Sequence, residues 1–203
     1  MFKPESARRS LRRYRKRGLD ELERRMVASA AAADLVGARV LEIGGGIGAI
    51  QVELLDAGAA TGEVVELVDA YEPYARELAH DRGLDERSSF QVADILERPE
   101  SVEPADIVVL NRVFCCSPDG VALAAEAARH TQRQLVLSFP RDVVWVRAAF
   151  RVLNAFFRIR RSAFRVFLHR PGALVAAAEA EGLRRMEGWG GTAWEFIALQ
   201  RGS

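Results

Sequence analysis

The stretch Val40-Leu41-Glu42-Ile43-Gly44-Gly45-Gly46-Ile47-Gly48 decides how the rest of the chain is read. A short apolar run passes into a turn packed with glycine, and Ala49–Ala57 follows as a helix. In α/β proteins this succession of strand, glycine turn and helix is how the backbone grips a nucleotide. Gly44, Gly46 and Gly48 recur at alternate positions, where the missing β-carbons let the chain turn tightly and approach a ligand closely.

The glycines leave the ligand open, because Gly44-x-Gly46-x-x-Ala49 also satisfies the fingerprint of NAD and FAD proteins. Glu42 tips the balance. A carboxylate at the strand end would repel a pyrophosphate, but it can receive the ammonium of a methionyl group, directly or through water. S-adenosylmethionine has that ammonium and carries no phosphate. The pattern Glu-x-Gly-x-Gly-x-Gly from Glu42 to Gly48 resembles the first motif of class I S-adenosylmethionine-dependent methyltransferases. A dinucleotide enzyme and a non-catalytic remnant of either fold are the alternatives.

Outward from this turn the chain alternates. Arg8–Ala33 reads as one or two helices, broken at Gly18 and restarted with Asp20 as cap. Strands are expected at Val40–Ile43, Val64–Val68, Ser89–Val92, Ile107–Leu110 and Leu135–Phe139, with helices at Glu72–Arg82 and Val121–His130 between them. That alternation predicts a parallel sheet with helices on both faces. Leu183–Glu187 and Trp194–Leu199, joined by Gly188-Trp189-Gly190-Gly191-Thr192, read as a closing hairpin. The expected fold is α/β: a Rossmann-like class I methyltransferase domain with a mostly parallel seven-stranded sheet and an antiparallel C-terminal hairpin. One domain covers 1–203, with a helical cap at 1–37, a cofactor-binding core at 38–140, and a lid helix plus hairpin at 141–203.

Ligands of open parallel sheets lie across the carboxyl ends of the strands, so the cofactor contacts are sought there. Glu66 stands eighteen positions after Gly48, where the family resemblance implies an acid that accepts both ribose hydroxyls, with Leu67 beside it. Asp69 is the less favoured acid of that loop. Asp94 and Ile95 match the place where the family carries an acid for the adenine amino group next to an apolar residue on the ring. Asn111, opening Asn111-Arg112-Val113-Phe114, falls where the family lines the cofactor's reactive end.

Methyl transfer from a sulfonium is an in-line displacement, so positioning does much of the catalysis and a base is needed only when the nucleophile carries a proton. His169 lies between a long basic helix and the next helix, where a general base could meet the acceptor; a structural histidine is the plainer reading. Tyr14, in Arg13-Tyr14-Arg15-Lys16-Arg17-Gly18, resembles the tyrosine and glycine segment that closes over the cofactor in the Mg-protoporphyrin O-methyltransferase group, and the likeness extends weakly to Phe167-Leu168-His169. Tyr14 and His169 are the catalytic candidates. Asn-Arg-Val-Phe-Cys-Cys-Ser-Pro-Asp and Ser-Phe-Pro-Arg resemble an actinobacterial-type group of small methyltransferases.

The pair Cys115-Cys116 argues against a disulfide framework and for a reducing compartment, so a cytoplasmic location is expected. With only three histidines to complete a ligand set, no metal is expected. The basic run Arg8–Arg17 lacks the apolar core of an export signal. With 29 Lys and Arg against 28 Asp and Glu, the whole molecule does not attract nucleic acid. Base-flipping enzymes of this fold use a proline-rich loop after the fourth strand, and Asn111–Phe114 lacks it, so DNA is set aside and RNA kept as the alternative acceptor. A cofactor-binding protein without methyl transfer is the third reading. A small, partly apolar metabolite is the expected acceptor.

Asp142–Arg161 places Arg147, Arg151, Asn154 and Arg158 on one stripe of a helix and apolar residues over the rest. The face is too broad for a surface helix, and the arginines make it a poor membrane span. Burial in the domain, a lid over an apolar acceptor, a homodimer contact or a membrane-surface helix would each account for it.

Overall fold

Strands buried on both faces show no polar side, and the runs Val40-Leu41, Ile107-Val108-Val109-Leu110 and Leu135-Val136-Leu137 have that character. In the computed structural model, which describes residues 4–202, they belong to the central strands of one sheet. The strands are β1 (Arg39–Ile43), β2 (Thr61–Glu66), β3 (Ser88–Val92), β4 (Ala105–Leu110), β5 (Thr131–Pro140), β6 (Leu183–Gly190) and β7 (Trp194–Arg201). Their order is β3-β2-β1-β4-β5-β7-β6, parallel except where β7 runs antiparallel between β5 and β6. Chain order reverses between β1 and β4, and such a switch opens a crevice at the carboxyl ends of the two strands.

The helices are α1 (Pro4–Arg17), α2 (Glu21–Ala31), α3 (Ala49–Asp56), α4 (Glu72–Asp81), α5 (Gly120–Arg129), α6 (Val144–Ile159) and α7 (Pro171–Ala180). Strand alternation divides the core. Val40, Ile107, Val109 and Val136 pack with Leu11, Leu22, Met26 and Ile50 on one face; Leu41, Val108, Leu110 and Leu135 pack with Leu123, Ala127 and Leu174 on the other. Gly18, at φ +64°, ends α1, and Asp20 caps α2 through a reciprocal pair with Glu23, at 3.0 Å and 2.8 Å.

The sequence boundaries hold with local shifts. β2 stops at Glu66 instead of reaching Val68, because the Val68 N–H turns back to the Glu66 carboxylate at 3.1 Å and leaves the ladder. β5 begins earlier than expected, at Thr131, whose carbonyl receives the Arg201 guanidinium from the end of β7. Burial of α6 within the domain does not occur: only Val146 of this helix is buried. Among the described residues, no helix is long and apolar enough to cross a membrane.

Candidate functional site

β1 delivers the chain into a turn whose three glycines have φ of +66° (Gly44), +58° (Gly46) and +71° (Gly48), a region that side-chain-bearing residues rarely adopt. The turn is also narrow. A Cβ on Gly44 would stand 2.7 Å from Val113 Cγ2, and one on Gly48 would stand 2.9 Å from Val64 Cγ2. At Gly46 the nearest atom is Tyr71 Cε1, 3.4 Å from where a Cβ would be, so the backbone there faces an aromatic ring. The Gly44 N–H donates to Val65 O at 2.7 Å and ties the turn to β2.

Glu42 lies behind this turn. It is 2% exposed, and its Oε2 accepts the Gln51 N–H at 2.9 Å. Gly48 offers α3 no capping side chain, so Glu42 satisfies one of the helix's free amides. Burial pushes its carboxyl up to about 8, against the Gln51 hydrogen bond, with nearby Glu23 and Glu66 adding to the rise. Its hydrogen bond is thus to the framework and not toward the mouth of the crevice.

Glu66, ending β2, takes the Gly46 N–H on one carboxylate oxygen at 3.0 Å and the Val68 N–H on the other at 3.1 Å. Burial raises its pKa, while backbone donors at Gly46, Val68 and Leu67 pull the other way. Three backbone donors do not exhaust the four lone-pair positions of a carboxylate, so acceptor capacity remains. Leu67 is 65% exposed next to that carboxylate. Asp69 is exposed and opens the short turn that carries Tyr71. On the neighbouring strand Ala93 N–H donates to Glu66 O, which brings Asp94 alongside; Asp94 Oδ1 accepts Leu96 N–H at 2.9 Å, and Ile95 is buried in the core. The glycine turn, Glu66 and Asp94 therefore stand on three adjacent strand ends.

At the end of β4, Asn111 is braced at both ends of its amide: Nδ2 donates to Glu23 Oε1 at 3.3 Å, and Oδ1 accepts from Ser138 Oγ at 2.9 Å. Arg112 has φ +59°, uncommon for a residue with a side chain, and its N–H donates to Ser138 Oγ at 2.9 Å. Its guanidinium meets Asp20 at 2.7 Å and Glu23 at 3.5 Å and lies 5.3 Å from the Trp194 ring centroid. Glu23, 5% exposed, also holds Arg13 at 3.2 Å. Beyond Val113, Cys115 Sγ lies 3.6 Å from Cys116 Sγ; their hydrogen bond raises the Cys115 thiol and lowers the exposed Cys116.

The two catalytic candidates stand apart. His169 Nε2 lies 3.1 Å from Phe114 O and 3.0 Å from Ser117 O, and two carbonyl acceptors assign the proton to that nitrogen. A Cβ on Gly120 would meet its ring at 2.7 Å. His169 thus pins the segment before α7 to the turn after β4. Tyr14 is buried and donates its hydroxyl proton to Glu53, on α3 about one turn past the glycines. Burial and then that bond raise its pKa, so Tyr14 stays protonated.

The sequence reading missed Tyr71, Glu23, Arg112 and Ser138. Asp20 was legible as a helix cap, but not, with Glu23, as the anchor of Arg112. No local signal aims Tyr71 at Gly46 or Ser138 at the Asn111 amide and the Arg112 N–H, since both depend on how separate segments meet.

The crevice fits an adenosyl cofactor on its own geometry: a backbone stripped of β-carbons lies beside an aromatic ring, and a carboxylate oriented by backbone N–H groups, with acceptor capacity remaining, stands at the next strand end. A shallow recess bordered by Asp34, Gln132 and Arg201 lies at the amino end of β5, the wrong end of a parallel sheet for such a ligand. Among the described residues, no group of three or more His, Cys, Asp or Glu could hold a metal ion.

Residues 41–139 match the family model described as a methyltransferase domain. Solved structures share the fold. Magnesium protoporphyrin IX methyltransferase from Synechocystis PCC 6803 with bound SAH is 18% identical, with a TM-score of 0.73 over 89% of this chain and 82% of that one. A TehB-like SAM-dependent methyltransferase from Corynebacterium glutamicum is 17% identical, with a TM-score of 0.66 over 98% of each chain. Mitomycin 7-O-methyltransferase is 21% identical, with a TM-score of 0.65 over 94% of this chain and 57% of that one. At these identities the likeness is one of fold, and no curated protein matches by sequence. The family match begins inside β1 and ends inside β5, on the strands that build the glycine turn and its flanking acids, so this span resembles a methyltransferase domain and the chain as a whole shares the fold of class I methyltransferases.

Proposed function

We propose that the protein transfers the methyl group of S-adenosylmethionine to a small, partly apolar metabolite. The observation that carries the cofactor half is Glu66: its carboxylate is oriented by backbone N–H groups at the strand end beside the glycine turn and keeps acceptor capacity for a ribose hydroxyl. When bound, the cofactor supplies an electrophilic methyl carbon on a sulfonium. Glu66 holds the ribose, the glycine turn admits the chain beside it, and Asp94 stands where the adenine amino group would fall. The turn after β4 lies along the reactive end, and Asn111, Ser138 and His169 hold it in place. Catalysis then comes chiefly from positioning. Tyr14, bonded to Glu53, supports α3 and takes no proton.

The apolar character of the acceptor is supported by α6 and its return segment, where Val144, Trp145 and Phe156 stand exposed beside arginines. An RNA acceptor is the second reading, favoured by Arg8, Arg9 and Arg12 on the exposed side of α1; the same helix has Arg13 and Arg15 already paired with acids. The two free cysteines accord with a cytoplasmic setting.

Calorimetry tests the cofactor half. S-adenosylhomocysteine should bind in about the micromolar range and NAD should not. Gly46→Val should abolish binding, since its methyls would fill the 3.4 Å gap to Tyr71. Stronger binding of NAD than of S-adenosylhomocysteine would sink the reading. Incubation with an acceptor panel and with total RNA then tests transfer by the release of S-adenosylhomocysteine. Binding without release on any acceptor would reduce the protein to a cofactor-binding module.

A further inference from the structure

Methyl transfer does not explain why α6 is so poorly covered. Successive residues of a helix are about 100° apart, which sorts its positions into three strips. The strip facing the protein holds Val146, Phe150, Asn154 and Phe157. Phe157 meets Phe164 edge to face with ring centroids 5.4 Å apart, and the Asn154 amide exchanges hydrogen bonds of 2.8 Å and 2.9 Å with the Val166 backbone. A second strip holds Val144, Trp145, Val152, Phe156 and Ile159, with Val144 and Ile159 80% and 81% exposed. The third, bordering it, holds Arg147, Arg151 and Arg158.

Charge identifies what covers the apolar strip. From Val143 to Arg170 the chain has seven arginines and no acid; Asp142, just outside, neutralises Arg147 alone, at 2.6 Å. A second copy docked through this strip would face arginines with arginines and no acid between them. An anionic lipid surface satisfies both strips at once. Apolar side chains enter the headgroup boundary, tryptophan sits at the interface, and guanidinium groups meet phosphates.

We propose that α6 seats this protein on an anionic membrane surface. The segment leaving α6 returns to the turn after β4, with the Phe167 N–H on Cys115 O at 2.9 Å, so the docked helix is tied to the site. That an acceptor would enter from the lipid rests on the methyl-transfer reading; the docking itself does not.

Flotation of the full chain with vesicles, measured without cofactor or acceptor, tests the docking. Vesicles of phosphatidylglycerol and phosphatidylcholine should carry the protein, while phosphatidylcholine alone should not, and raised salt should release it. Val152→Glu and Ile159→Glu, both at exposed positions, should lower the bound fraction by about tenfold or more with an unchanged melting curve. Quenching of tryptophan fluorescence by brominated lipid should disappear in Trp145→Phe. Absence of flotation, or flotation untouched by the two glutamates, overturns the proposal. So does a dimer in sedimentation that Val152→Glu dissociates while vesicles bind neither form, for the strip then belongs to a second copy.

Discussion

A carboxyl group sealed beneath a glycine turn couples the fold to pH in a direction opposite to that of a paired surface acid. The Glu42 carboxyl, raised from 4.5 to about 8 in the fold, stays protonated there through a range in which the unfolded chain has lost the proton. Its contribution to stability is therefore fully present below about 4.5 and is lost as pH rises through about 8, at up to about 1.4 kcal/mol per pH unit between those values. Glu42→Gln keeps an oxygen for the Gln51 N–H and removes the titration. Urea unfolding at pH 5 and pH 8.5 should show the variant gaining on the wild-type protein as pH rises. An equal difference at both pH values would mean that Glu42 ionises in the fold as readily as in the open chain. The sequence placed a carboxylate here correctly, but not its burial, because the depth of a strand-end side chain depends on how the following turn folds over it.

At the scale of elements, the segment between α6 and α7 is a strap held by two side chains, Asn154 on Val166 and His169 on the carbonyls of Phe114 and Ser117, beside the Phe167 N–H on Cys115 O. Asn154→Ala or His169→Ala should each speed amide exchange at Val166 and Phe167, lower the turnover rate and leave S-adenosylhomocysteine affinity unchanged. If His169 only fastens, the pH dependence of the rate keeps its shape in His169→Ala. A loss of about 10²-fold or more at neutral pH, together with a changed shape of the rate's pH profile, would make it the base instead. Elements whose cues are local were legible in advance: the break at Gly18, the Asp20 cap, the glycine turn and the closing hairpin. The strap was not, since its partners are backbone carbonyls some fifty residues earlier in the chain. The exposure of α6 was hidden for a related reason, because an apolar face reads the same in sequence whether protein or something else covers it.

For the whole molecule, alternate residues of the same strands feed both core clusters, so the sheet cannot lose one face and keep the other. Thermal unfolding should be a single transition. S-adenosylhomocysteine at about a hundred times its dissociation constant adds roughly 2.7 kcal/mol, which for a chain of this size raises the midpoint by about 5–10 °C. Two transitions, only one of them sensitive to ligand, would contradict the shared core. Strand order was within reach of the sequence because alternation and a terminal hairpin leave few topologies; the register that brings Ser138 to Asn111 and Arg112 was not. The acids that hold Arg112 come from the start of α2, before the span matched by the methyltransferase family begins. A fragment trimmed to that span would keep every strand end that meets the cofactor, yet leave a partly buried guanidinium with neither counter-charge and the Asn111 amide without one of its two partners. The smallest unit able to work is thus larger than the smallest unit that can be recognised, and its boundary falls before Asp20.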